Sequence, residues 1–147
     1  MLLRFHTDVV LLKPQAVVIL AGTNDIGGNL GGMTNEQIAD NLMAMSEMAR
    51  ANGIKVILST LTPVCDYHRP QTLTRPPARI VALNQWIREY AAKGGVTLLD
   101  YYPALLDDQQ VLRRELTDDG LHPNAAGYDI MMPLAAKAIA GALGGSR

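Results

Sequence analysis

Apolar residues along this chain fall in short compact runs, separated by longer stretches in which they recur every three or four positions. The runs Ala16 to Ala21, Ile54 to Thr60 and Val96 to Asp100 have the length of strands, and the second is rich in β-branched residues. Between the first two, Thr34 and Gln37 have the spacing of a capping box. Ile38, Leu42, Met45 and Ala49 then share one helical face, and Gly53 closes the segment. Between the second and third, Ile80, Leu83, Ile87 and Ala91 make a similar stripe that stops at Gly94 and Gly95. Strand and helix therefore alternate, which is the signature of βαβ units carrying a parallel sheet. A last helix is predicted after Pro123, with Asn124 as its N-cap. It runs through Tyr128, Met131, Leu134, Ala138 and Ile139 to cover the sheet, and Pro133 is expected to break it in two. Met1 to Lys13 reads as one amphipathic helix, because Arg4, His6 and Asp8 interrupt its apolar residues. Two irregular segments remain, Gly27 to Gly32 with four glycines and Thr62 to Pro77 with four prolines. Each follows the carboxyl end of a predicted strand, where open α/β sheets place their ligands, so both should frame a site, the longer one as a lid.

Composition narrows the class. At 147 residues, 48% hydrophobic and 18% charged, the chain is sized for one domain over 1–147 with a buried core. A net charge of -1 offers no basic footprint for nucleic acid, and no apolar window approaches the length that crosses a bilayer. Cys65 is the only cysteine, so no internal disulfide forms, and the cytoplasm is the expected compartment.

Two short motifs carry candidate chemistry, Gly22-Thr23-Asn24-Asp25 after the first strand and Asp119-Gly120-Leu121-His122-Pro123 before the last helix. Pro123 pushes His122 toward an extended backbone at a helix start, leaving its ring free to project. Through the tight Gly120 turn, Asp119 can accept from one ring nitrogen while the other takes a proton from a nucleophile. Taken alone, an Asp-x-x-His is more readily a capped turn with a solvated histidine, and Pro123 with the helix after it narrows the odds. Gly22 lets backbone approach closely, and the Asn24 amide beyond it is a neutral donor suited to an oxyanion, although Asn24 taken alone is more readily read as an Asx turn. Asp25 is assigned to hydrogen bonding within the loop. His6 and His68 have no partner at ligand spacing, so no metal is expected. The glycines form neither Gly-x-Gly-x-x-Gly nor a P-loop, so no organic cofactor is implied.

Together the motifs resemble those of the SGNH hydrolase superfamily, the GDSL-type esterases and lipases, whose third block is Gly-x-Asn-Asp and whose fifth is Asp-x-x-His-Pro. The resemblance spans nearly the whole chain. It implies a three-layer, flavodoxin-like α/β fold and a carboxylic ester hydrolase acting on a small-molecule ester by serine acylation. In that reading Asn24 is an oxyanion-hole donor, His122 the general base, Asp119 its partner, and Gly22 and Thr23 flank the substrate. The family's Gly-Asp-Ser block and its second-block glycine have no counterpart here, and Met1 to Lys13 resembles the helix that follows the second block. The chain is thus expected to be a member lacking its first βαβ unit, reduced to about three strands. The serines are Ser46 in a predicted helix, Ser59 near the end of the second strand and Ser146 in the tail. Ser59, Thr23 and Cys65 are the candidate replacement nucleophiles, none of them in the family's context, and water activated by His122 is a further possibility. With the family's strand order 2-1-3-4-5, the run Ala16 to Ala21 becomes an exposed edge, so a homodimer or higher homo-oligomer is expected. The alternative function is an inactive fragment that oligomerises through that edge.

Overall fold

The structure is a computed structural model that describes residues 1–29 and 31–144. Its elements, in chain order, are α1 (Leu2–Asp8), a 3-10 turn (Val10–Leu12), β1 (Ala16–Ile19), α2 (Thr23–Ile26), α3 (Asn35–Ala51) and β2 (Lys55–Ser59). There follow α4 (Pro77–Ala92), β3 (Thr97–Leu99), two further 3-10 segments (Tyr102–Leu105 and Arg114–Leu116) and α5 (Ala125–Gly144). The strands pair in parallel in the order β1-β2-β3, with Ala16 opposite Lys55 and Ile57 opposite Thr97. All three predicted strands are present, each shorter than its apolar run.

The sheet separates two apolar layers. On one face Ile19, Val56 and Leu58 pack with Phe5 of α1, with Ile38, Leu42, Met45 and Ala49 of α3, and with Ile80, Leu83 and Ile87 of α4. On the other, Ile57 and Leu99 pack beneath Met131, Ala138 and Ala142 of α5. The result is the three-layer α/β arrangement that the alternating pattern predicts. The capping box at α3 is complete, with Gln37 N donating to Thr34 Oγ1 and Thr34 N donating to Gln37 Oε1. Asn84, buried on α4, takes Leu61 N at 2.7 Å on Oδ1 and donates Nδ2 to Leu61 O at 3.0 Å. That double bond satisfies the backbone where β2 gives way to the irregular segment and fixes the direction in which the segment leaves the sheet.

Three expectations about the helices are corrected. Met1 to Lys13 is not one helix: α1 stops at Asp8, and Lys13 adopts a left-handed φ of 50°. Phe5 and Val10 both reach the core, but five helical steps would set them about 140° apart, so the chain breaks between them. Pro133 does not split the last helix, since α5 runs unbroken through it. Pro133 and Asp129 both lie on the exposed side, where the Asp129 carbonyl that loses its donor can bond to water instead. Tyr128 and Ile139, predicted to face the sheet, point outward, while Met131 and Ala138 face inward.

Candidate active site

The site is built on two turns at the carboxyl ends of the strands. The first begins at Gly22, whose φ of +122° turns the chain sharply out of β1. A Cβ there would stand 3.1 Å from Leu83 Cδ2 and 3.2 Å from Ile38 Cγ2, so glycine meets both the backbone conformation and the packing. The following residues, read from sequence as loop, wind into the single helical turn α2, which lifts Asn24 to the surface. Asn29 Nδ2 donates to Asn24 Oδ1 at 3.1 Å, and Asn29 N donates to Asn24 O at 3.1 Å. The carbonyl end of the Asn24 amide is thereby engaged, while its Nδ2 has no acceptor among the described residues. Asp25 contributes its main-chain carbonyl, which accepts from Gly28 N.

The second turn runs from Thr117 to Pro123. Thr117 Oγ1 donates to His122 O at 2.8 Å and accepts from Gly120 N at 3.0 Å, closing the turn from inside. Asp119 Oδ1 accepts from Leu121 N at 2.9 Å and His122 N at 2.8 Å, and its Oδ2 lies 2.6 Å from His122 Nδ1. One carboxylate therefore both caps the turn and engages the imidazole, so the two readings of Asp-x-x-His are compatible. The bond from the His122 ring, followed by that from the His122 backbone N–H, holds the Asp119 carboxyl well below the usual carboxylate range. An ionised Asp119 can only accept, which keeps the proton of a neutral His122 on Nδ1 and leaves the Nε2 lone pair free. The His122 side chain is 76% exposed and that of Asp119 28%.

Both turns meet at a hollow of about 220 Å³ lined by Thr23, Asn24, Thr62, Leu121, His122 and Tyr128, with Leu20, Pro123 and Met131 at its apolar wall. Of the sequence-predicted residues, Asn24, Thr23 and His122 line the hollow, and Asp119 stands behind His122. Gly22 does not line it: buried against α3 and α4, it turns the chain and has no wall of its own. Ser59 is buried in β2, its hydroxyl donating to Thr60 O at 2.8 Å. Ser46 is likewise buried, donating to Leu42 O, and Ser146 lies outside the described residues. Cys65 is fully buried, and burial pushes its thiol upward, away from the reactive thiolate. Among the described residues no serine and no cysteine lines the hollow. Its hydroxyls are those of Thr23, Thr62 and Tyr128.

The segment Thr62 to Pro77 is a buttress for the second turn. Cys65 N donates to Gly120 O at 2.9 Å, Gln71 Nε2 donates to Asp119 O at 3.1 Å, and His68 Nε2 lies 3.1 Å from Arg114 O. Asn29, Gln71 and Thr117 support the site without a motif of their own. For Thr117 alone a signal was available, an Ser/Thr hydroxyl two residues before an aspartate in a glycine turn.

The depressed Asp119 carboxyl makes a pH prediction. Its ionised form is favoured by the fold, so its contribution is present at neutral pH and is lost as pH falls below about 4, through the still lower folded-state value. Asp66 and Asp107 are lowered by bonds of their own, so the readout is a difference. Urea unfolding followed from pH 6 to pH 2 should show a shallower loss of stability in Asp119→Asn than in the parent chain. Superimposable slopes would mean that the Asp119–His122 bond contributes nothing to the fold.

A three-layer parallel sheet that brings an Asp–His pair and an asparagine amide to one hollow at its carboxyl edge has the layout of an SGNH-type hydrolase. The chain belongs to the GDSL-like lipase/acylhydrolase family, whose pattern matches residues 1–130, and that family is one of ester hydrolases. It is 31% identical over 114 residues to the esterase TesA of Pseudomonas aeruginosa, covering 78% of this chain and 50% of that one. Among solved structures it is similar to a GDSL-like lipase of Bacteroides thetaiotaomicron, with a TM-score of 0.87, 39% identity and coverage of 96% of this chain and 69% of the other. A lipase/acylhydrolase of Enterococcus faecalis superposes with a TM-score of 0.79 at 28% identity, covering 95% of this chain and 68% of the other. The chain spans half or less of the length of the curated relatives it matches.

Proposed function

We propose that the hollow is the acid–base and oxyanion-binding part of a site that hydrolyses small carboxylic esters. The observation that carries this reading is the meeting on one wall of His122, oriented by Asp119 at 2.6 Å, with the Asn24 amide, whose Nδ2 has no acceptor among the described residues. The ionised Asp119 fixes the Nδ1 proton. Nε2 then takes a proton from an attacking hydroxyl as its oxygen bonds to the ester carbonyl carbon, and Asn24 Nδ2 donates to the oxyanion that forms. As the tetrahedral intermediate collapses, the same nitrogen returns the proton to the departing alcohol oxygen. A volume of about 220 Å³ favours a short acyl group. No Gly-Asp-Ser run occurs in the 147 residues. The attacking oxygen is accordingly assigned to water beside Nε2, with Thr23, the one candidate replacement nucleophile on the wall of the hollow, as the alternative hydroxyl.

The test is hydrolysis of a short-chain aryl ester by the parent chain, Asn24→Ala and Ser59→Ala. Loss of one oxyanion donor should slow the reaction by about 100- to 1,000-fold, whereas Ser59→Ala should leave it unchanged. Equal rates in all three, at the level of buffer alone, would remove the hydrolase reading for this chain. A loss in Ser59→Ala equal to that in Asn24→Ala would overturn the assignment of the attacking oxygen.

A further inference from the structure

Arg75 is the only charged residue buried among the described residues, at 8% exposure. It has no carboxylate partner there, since the ion pairs are Arg4 with Asp8, Arg88 with Asp100 and His122 with Asp119. Its Nη1 donates to Gln71 Oε1 at 3.2 Å and to Thr74 Oγ1 at 3.3 Å, while Nε is enclosed without a partner among the described residues. Burying a guanidinium on neutral acceptors is costly, and an apolar side chain of the same length would fill the space without that cost. Stability alone does not account for the residue. What it touches does.

The guanidinium lies against Gly27, which closes α2. A Cβ at Gly27 would stand 2.8 Å from Arg75 Cζ and Nη2 and 3.1 Å from Nε, so the planar group is seated on that backbone. Gly27 N donates to Thr23 O, which ties it to the turn that carries Asn24. On its other side Arg75 holds Gln71 Oε1, and Gln71 Nε2 donates to Asp119 O at 3.1 Å. One amide thus takes the cation on its oxygen and grips the acid–base turn with its nitrogen. The spacer itself is rigid. Arg75 N donates to Gln71 O at 2.8 Å, and Asp66 Oδ1 accepts from Gln71 N at 2.6 Å and Thr72 N at 2.9 Å. Pro76 and Pro77 follow, the second opening α4, so the backbone under Arg75 is held by two fixed φ angles and a packed helix.

We propose that Arg75 is a positioning residue whose guanidinium sets the distance between the Asn24 amide and His122 by joining the two turns that carry them. It does not line the hollow and acts through Gly27 and Gln71. Its consequence for catalysis rests on the ester-hydrolase reading above, whereas the coupling of the turns does not. An oxyanion donor and a general base act on one tetrahedral intermediate, and misplacing a group by about 1 Å can cost about 100-fold in rate.

The probe is Gly27→Ala. Gly27 has a φ of -70° and a ψ of -7°, which any L-residue adopts, and the three atoms nearest the new Cβ all belong to the guanidinium. In the parent background the substitution should push Arg75 and, through Gln71, shift the low-field resonance of the Asp119–His122 proton, although Gly27 bonds to neither residue. On a short-chain aryl ester it should lower kcat about 10- to 100-fold and leave KM within a factor of about two. In an Arg75→Ala background, where the space is empty, adding Gly27→Ala should leave resonance and kcat where Arg75→Ala alone sets them. Gln71→Met is a second background, which keeps the length of the side chain and removes both of its amide bonds. There too Gly27→Ala should fail to reach His122. A resonance unmoved by Gly27→Ala in the parent background, or moved equally in all three, overturns the proposal, and so does an unchanged kcat in a parent that turns over ester. The resonance is read whether or not the chain hydrolyses ester. A parent without activity therefore removes the function proposed above and leaves the coupling to be decided by the spectra.

Discussion

His122→Ala should slow hydrolysis of a short-chain aryl ester by about a thousand- to ten-thousand-fold, the upper part of the range for a positioned general base. Removing the ring leaves the attacking hydroxyl with no acceptor for its proton in the hollow and the departing alcohol with no donor. The fold should survive the change. The ring is mostly exposed, and the backbone of residue 122 keeps both its bonds, from N to Asp119 Oδ1 and from Thr117 Oγ1 to O. Added imidazole should restore part of the rate, since a free base can occupy the space that the ring vacates. Asp119→Asn should be nearly as severe for a different reason. An asparagine amide that donates to Nδ1 drives the ring proton onto Nε2, so the nitrogen facing the substrate can no longer accept. Rates in His122→Ala within a few-fold of the parent would dismiss His122 as the base, whatever its contact with Asp119.

How far the sequence anticipates this site depends on whether a feature is local. The helices α3 and α4 are legible because their apolar period, the Thr34/Gln37 cap and the closing glycines lie within one segment. Asp119 and His122 are legible for the same reason, since three residues and a glycine turn suffice to bring carboxylate and ring together. Asn24 is legible as a position, but its orientation is set by Asn29, and the sequence offers no motif for that bond. Gly22 shows the opposite error. Its sequence context suggests contact with a ligand, while its neighbours Leu83 and Ile38, remote in sequence, make it a packing residue. The break after α1 is hidden as well, because it arises from where Phe5 and Val10 must both be buried. The long segment after β2 looks like a lid from its prolines, but its anchors are Gly120 and Asp119, more than 45 residues away along the chain. Non-local contacts of this kind decide whether an irregular segment covers a site or supports it.

That support predicts the largest loss of stability among single substitutions in the site. Gly120→Ala is expected to lower the unfolding free energy by about 2–5 kcal/mol, the sum of two separable effects. The first is conformational: φ at Gly120 is +83°, and a left-handed backbone costs an L-residue about 1–2 kcal/mol. The second is steric. The new Cβ would press on the carbonyl oxygen of Cys65, the same oxygen-bearing backbone whose N–H bonds to Gly120 O, and would stand 3.1 Å from Arg69 O. Backbone cannot swing aside as a side chain can, so either the buttress or the turn must move, at about 1–3 kcal/mol for an overpacked site. Gly28→Ala separates the two effects. Gly28 has a similar φ of +71° with open space around it, so it should lose only the conformational part. Urea midpoints for the two variants should therefore differ by the steric component. The shared proton between Asp119 and His122, seen as a low-field resonance, should shift or vanish in Gly120→Ala and persist in Gly28→Ala. Equal losses in the two variants would mean that the segment after β2 yields freely, and that the geometry of the Asp119–His122 pair does not depend on it.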